Sequence, residues 1–247
     1  MEKTVVIGDI HGDYERMREL VDPIPEDTRV IFIGDFFDRW NRSVDVARFV
    51  MNRPNTLALL GNHEALILGA KAERKQLRFG MLYQCWLDNR GQPADLEELD
   101  KEPELVDWLM HLPAMIKLED DTLLQHSDNM HYLLHGDTLE KINNSFMEHL
   151  TSGDLNLLRK AFEHLCERFG FNQPYKTENY LERFNARGVI HGHTPHGKSQ
   201  AQVSFSGRIV NVDGALSRGF DRFYGEEKRG FVYELKEKTL DDPWVTV

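Results

Sequence analysis

Four times in this chain a short apolar run stops at a glycine, and the next residue is an acid, an amide or an imidazole. The stretches are TVVIGD at 4–9, VIFIGD at 30–35, LALLGN at 57–62 and VIHGH at 189–193. A fifth run, LLQH at 123–126, ends in a histidine without the glycine. Short runs of this kind read as strands buried on both faces. Tyr14 to Val21 and Ser43 to Met51 have helical spacing, so the first part alternates strand and helix. That alternation indicates βαβ units and a largely parallel sheet. In such sheets the functional loops sit at the carboxyl ends of strands, where all five polar endings fall. A glycine there lets the backbone turn sharply and point the next side chain back over the sheet edge.

The remainder divides by texture. Residues 64–112 are rich in Ala and Leu, then acidic, with a helical period, and read as a helical insertion over one end of the sheet. MIKLEDDTLLQHSD at 115–128 reads as a hairpin turning at Asp120-Asp121, residues 137–186 as mainly helical, and GVIHGHTP, QVSFSGRIVNVDG and RGFVYELKEK as strands. With 40% hydrophobic residues in 247, the chain can bury a sizeable core. No linker or repeat divides it, so a single α/β (α+β) domain over 1–247 is expected. No stretch approaches the ~20 apolar residues of a membrane span, and the start is too short for a signal-peptide core, so a soluble cytoplasmic protein is expected. Cys85 and Cys166 lack a CxxC spacing and read as reduced structural thiols.

The polar strand endings carry the chemistry. They deliver Asp9 and His11, then Asp35, Asp38 and Arg39, then Asn62 and His63, then His126, then His193. An Asp or Asn after one strand is usually a turn residue; five strand ends out of five delivering ligand types is a different matter. Carboxylate, imidazole and amide oxygen without cysteine suit manganese, iron, zinc or nickel rather than a structural zinc site. Six or so ligands suit two ions sharing a carboxylate, typically ~3.5–4 Å apart in phosphate-ester hydrolases. Asp35, in the middle strand, is the natural bridge. Arg39 is placed to clamp phosphate oxygens bidentately. Asp38 behind His63 would hold the imidazole's tautomer and raise its pKa, making it a general acid for the leaving oxygen. The net charge of −11 argues against a nucleic-acid backbone as partner, whereas bound metal can invert the local field for a phosphate.

The ordered set GDIHG, GDFFDR, GNHE, a later strand-end histidine and GHTP resembles the metallophosphoesterases, or calcineurin-like phosphoesterases. Within them the chain is similar to the serine/threonine phosphoprotein phosphatase branch and its bacterial relatives, which include the symmetrical diadenosine tetraphosphatases. The resemblance implies a β-sandwich of two mixed sheets flanked by helices. It implies one divalent ion on Asp9, His11 and Asp35 and a second on Asp35, Asn62, His126 and His193, with manganese first among the metals. It casts His63 as general acid backed by Asp38, and Arg39 on the phosphate. A second phosphate-binding arginine is expected among Arg159, Arg168, Arg183 and Arg187. The chain departs from the branch at Trp40 (usually Gly), Leu60 (usually Arg) and Ser127-Asp128 (usually two glycines). Pro195 stands where the wider superfamily has a second histidine, and His196 reads as a surface residue. His131 and His135 have loop or helix spacing, and His191 could support the ligands from behind.

The expected substrate is phosphorylated: a phosphomonoester, including phosphoserine or phosphothreonine in proteins, or alternatively a dinucleoside polyphosphate. A catalytically dead binding scaffold is the third possibility. Loss of a ligand or of His63 would point there, and none is lost.

Overall fold

The computed structural model describes residues 3–76, 79–227 and 229–235. In chain order it runs β1 (Thr4–Ile7), α1 (Tyr14–Val21), β2 (Arg29–Phe32), α2 (Ser43–Asn52), β3 (Thr56–Ala58), α3 (Asn62–Lys75), α4 (Met81–Asp88), α5 (Pro93–Leu99) and α6 (Pro103–Met110). It continues through β4 (Met115–Lys117), β5 (Thr122–Gln125), α7 (Leu139–Thr151), α8 (Leu155–Cys166) and α9 (Pro174–Arg183). The last described elements are β6 (Gly188–His191), β7 (Gln202–Ser204), β8 (Ile209–Asn211), α10 (Asp221–Tyr224) and β9 (Val232–Glu234). Residues 236–238 of the final expected strand lie outside the described residues.

Two mixed sheets form, in the orders β3-β2-β1-β9 and β4-β5-β6-β8-β7. The first three strands pair in parallel, as β–α–β connections require, and β9 closes that sheet antiparallel. The β4–β5 hairpin pairs antiparallel, and Asp121 takes the left-handed conformation at its turn (φ 67°).

Alternation along the strands explains why the sheets stack. Val6, Ile31 and Ile33 of the first sheet meet Leu124, Ile190 and Val210 of the second in one apolar layer. Their strand neighbours Val5, Ile7, Val30, Phe32, Leu123 and Val189 point the other way, into the helices. Each buried side chain of this size is worth about 1.5–3 kcal/mol.

The insertion is helical as expected. Pro93 and Pro103 stand at the starts of α5 and α6, where a missing N–H costs nothing. Trp86, Leu96, Leu105 and Leu109 anchor these helices to the main core.

One expectation fails locally. Asn62 and His63 do not lie in a loop after β3 but form the first turn of α3, because Glu64 reaches back to accept from Gly61 N at 2.8 Å. Among the described residues, no helix is long and apolar enough to cross a membrane.

Candidate active site

Asp9, His11, Asp35, Asp38, Asn62, His63, His126 and His193 are all buried at the carboxyl ends of β1, β2, β3, β5 and β6. The sandwich thus gathers on one edge residues from both sheets. The turns that do this are strained. His11, Asp35, Asp38, Arg39 and His193 all have positive φ, between 48° and 69°, a region that costs non-glycine residues energy and clusters at functional sites. The preceding glycines serve mainly close approach rather than sharp turning. A Cβ on Gly192 would lie 2.2 Å from Asp9 Oδ1, and one on Gly61 2.3 Å from Asp35 Oδ1. Of the four, only Gly34 has a positive φ, 102°.

Asp35 lies at the centre. Its Oδ2 faces His11 Nε2 at 3.6 Å and His63 Nε2 at 3.9 Å, while its Oδ1 faces His126 Nε2 at 3.3 Å. Two groups able to hold a metal ion share it: His11, Asp35 and His63 on one side, and Asp35, His126 and His193 on the other. The imidazoles are oriented from behind. His11 Nδ1 bonds to Phe37 O, His126 Nδ1 to Ile33 O and His193 Nε2 to Cys166 O, at 2.9, 2.9 and 3.0 Å. A carbonyl can only accept, so each of those nitrogens carries a proton and the opposite nitrogen is the one turned towards the site, the orientation expected of a metal-binding histidine. Asn62 Oδ1 lies 2.9 Å from His126 Nε2. Both Asp9 oxygens accept from His193 N at 3.1 Å.

The charges also suit cations. Burial, then the neighbouring Asp213, raises the Asp9 carboxyl well above the usual range. Burial raises Asp213 to about 6, and its Oδ2 is buried without a partner. At Asp35 burial pulls upward too, but the charges of His126 and His63 outweigh it and hold that carboxyl well below the usual range. So many buried acids in contact are costly unless positive charge compensates them. The donor set fits two divalent ions of the manganese, iron, zinc or nickel type.

His63 faces the site with Nε2, while its Nδ1 meets Asp38 Oδ2 at 2.5 Å. Arg39 donates to His11 Nε2 at 3.3 Å and contacts His63 Nε2 at 3.4 Å, and its guanidinium rests over the Phe220 ring at 4.9 Å. Of the four candidate second arginines, Arg168 lines the same pocket and donates to His193 O at 3.0 Å. Arg187 pairs with Asp120 and Arg159 with Glu163. The departure at Asp128 has a purpose here: its carboxylate accepts from Phe169 N at 3.0 Å and Thr194 Oγ1 at 2.8 Å, tying the Arg168 loop to the His193 turn.

His131 and His135 lie outside the ligand groups. The His135 ring stacks on Phe146 and bonds to His164. His191 bonds to the adjacent Gly192 O. His196 is half-buried against Phe231 rather than on the surface. Trp40 is partly buried under Arg218.

Two residues escaped the sequence reading. Asp213 ends the VNVDG stretch as the other acids end theirs, and the repeated pattern was the available signal. Glu64 is buried and accepts from Asp35 N, Phe36 N and Gly61 N, each at 2.8 Å, pinning two ligand turns together. Glu64→Ala would strand three buried N–H groups at roughly 1–3 kcal/mol each. It is expected to melt several degrees or more below the wild type, and an unchanged melting temperature would remove the pinning role.

The model of the calcineurin-like phosphoesterase family matches residues 2–197. The chain belongs to that family. Among curated relatives it is 33% identical over 115 residues to the symmetrical bis(5'-nucleosyl)-tetraphosphatase of Coxiella burnetii, covering 45% of this chain and 36% of that one. It is 32% identical over 133 residues to serine/threonine-protein phosphatase 2 of Escherichia coli, covering 50% and 57%. The matches thus span from about a third to just over half of those relatives' length. The fold is that of known phosphoesterases. A cold-active protein-tyrosine phosphatase of a psychrophilic Shewanella superposes with TM-score 0.66 at 20% identity, covering 94% of this chain and 75% of that one. A serine/threonine phosphatase of Saccharomyces cerevisiae does so with TM-score 0.59 at 16% identity, covering 98% and 82%. The two mixed sheets flanked by helices are this family's architecture.

Proposed function

We propose that the chain is a dinuclear-metal phosphoesterase hydrolysing phosphate esters, with phosphomonoesters, phosphoserine and phosphothreonine included, as its first substrate class. The observation that carries this reading is Asp35, whose two oxygens face two different histidine groups beneath Arg39. Asp9, His11 and Asp35 would hold one ion, and Asp35, Asn62, His126 and His193 the other. Two such ions, manganese foremost, would supply Lewis acidity and lower the pKa of the attacking water. The protein's own groups do the rest. Arg39 and Arg168 bind the phosphoryl oxygens and hold phosphorus in line. His63, as an imidazolium, gives its Nε2 proton to the leaving oxygen and is left neutral, while Asp38 accepts from Nδ1 and holds the ring in place. A second reading, cleavage of dinucleoside polyphosphates, is favoured by the likeness to the symmetrical bis(5'-nucleosyl)-tetraphosphatase.

The test is turnover of p-nitrophenyl phosphate by the purified chain with bound metal counted. Activity is expected with added manganese and is expected to vanish when a chelator strips the protein. Turnover that survives complete metal removal would defeat the proposal.

A further inference from the structure

Most arginines here have acidic partners: Arg16 pairs with Asp221, Arg42 with Glu15, Arg208 with Glu178 and Arg218 with Asp13. Arg39, Arg90, Arg168 and Arg222 have no carboxylate partner among the described residues. Arg53 and Arg183 also lack an ion pair, but they sit apart, at the ends of α2 and α9. In a chain of net charge −11 these four need a reason: Arg39 and Arg168 line the pocket over the ligand cluster, and Arg90 and Arg222 stand next in sequence to, or two residues from, its lining residues Asn89 and Phe220.

Arg39 and Arg168 are accounted for by the phosphoryl group. Arg90 and Arg222 are not. Arg90 follows α4 in the left-handed conformation (φ 67°), and its Nη1 donates to Gly219 O at 3.2 Å. Gly219 packs so tightly on Arg39 that a Cβ there would lie 2.7 Å from Arg39 Cβ. Arg90 therefore sits one residue's width from the phosphate clamp, next to Asn89, which lines the pocket. Arg222 lies on α10, two residues after Phe220, which lines the pocket, with its guanidinium held over the Phe223 ring at 4.4 Å. The adjacent Asp221 does not neutralise it, being bound by Arg16 at 2.9 Å and Arg229 at 2.6 Å. Burial, then the charges of Arg222 and Arg39, lower the Arg90 pKa. The pocket over the ligand cluster holds about 160 Å³, below the ~300–1,000 Å³ of sites that enclose a drug-sized molecule. A larger substrate must therefore extend beyond the pocket, and Arg90 stands next to Asn89 at its edge.

We propose that Arg90 and Arg222 form a second anion subsite that takes the next phosphate of a phosphate-chain substrate, such as a dinucleoside polyphosphate. This rests on the phosphoesterase reading of the site. Two planar guanidiniums match phosphate oxygens bidentately, and the closeness of Arg90 to Arg39 suits a charge one or two bridges from the reacting phosphorus. An acidic side chain flanking a phosphorylated residue is further removed. In the reaction, water oxygen bonds to phosphorus, the P–O bond to the chain breaks, and the released chain takes the His63 proton.

The experiment compares kcat/KM on diadenosine tetraphosphate, p-nitrophenyl phosphate and an acidic phosphopeptide for wild type, R90A, R222A and the double variant. Melting curves check that each folds. The double variant is expected to lose about tenfold to a hundredfold more on diadenosine tetraphosphate than on p-nitrophenyl phosphate, the worth of one or two charge-assisted contacts. Equal losses on the two, a selective loss on the phosphopeptide, or a wild type that turns over p-nitrophenyl phosphate but not the dinucleotide would each overturn the subsite. A metal-loaded wild type active on none of the three would instead overturn the phosphoesterase reading beneath it.

Discussion

Asp35→Ala is expected to release both ions and leave no measurable phosphoesterase turnover. The reason is that Asp35 faces both histidine groups, Oδ2 towards His11 and Oδ1 towards His126. Removing it strips each proposed ion of a ligand and of its main compensating charge, while no serine or cysteine nucleophile is assigned that would replace a metal-activated water. Asn62→Ala and His126→Ala touch one group only, so they are expected to loosen mainly one ion. Metal analysis of the purified variants, paired with turnover, decides the matter. An Asp35→Ala protein that retains two ions and works normally would rule out a bridge.

The second large effect concerns His63, for which two roles compete. Its Nδ1 contact with Asp38 suits a proton donor, yet its Nε2 also falls within one of the groups able to hold a metal. If it is the donor, His63→Asn keeps its metals and nearly its KM, while kcat falls about 10²–10⁴-fold, the usual worth of a positioned acid. The loss must then depend on the leaving group. p-Nitrophenolate departs with little protonation, whereas an alkoxide needs a proton, so an alkyl phosphate is expected to suffer far more. Asp38→Asn is expected to follow the same pattern more weakly, since it removes only the group that orients the ring. Equal losses on both substrates, or loss of metal from His63→Asn, would make His63 a ligand or a structural residue instead.

Much of this was readable from the chain itself. The short apolar runs announced β1, β2, β3, β5 and β6, because strands buried on both faces leave little choice but Val, Ile and Leu. The polar residues ending them were conspicuous for the same reason: Asp35 has no business beside Ile33 unless something compensates it. What escaped depended on contacts between distant segments. Arg159 meets Glu163 one helical turn on, but Arg168 stands out from Arg187 only through partners far along the chain, His193 O 25 residues on and Asp120 67 residues back. Glu64 looked like one more helical acid until its three N–H partners were in place. The start of α3 at Asn62 was hidden because Gly61 reads as a turn as readily as a helix cap.

The proposed ligands come from both layers of the sandwich: Asp9 and Asp35 from one sheet's edge, His126 and His193 from the other's. Ions seated between them would act as rivets. Pulling the layers apart would then break coordination bonds as well as apolar contacts, so occupancy and folding become a single coupled equilibrium, and the loaded protein gains stability in proportion to how tightly it holds its metals. Starved of metal, such a molecule would lose its catalyst and its clasp together, leaving Asp9 of one layer to face Asp213 of the other with no cation between them.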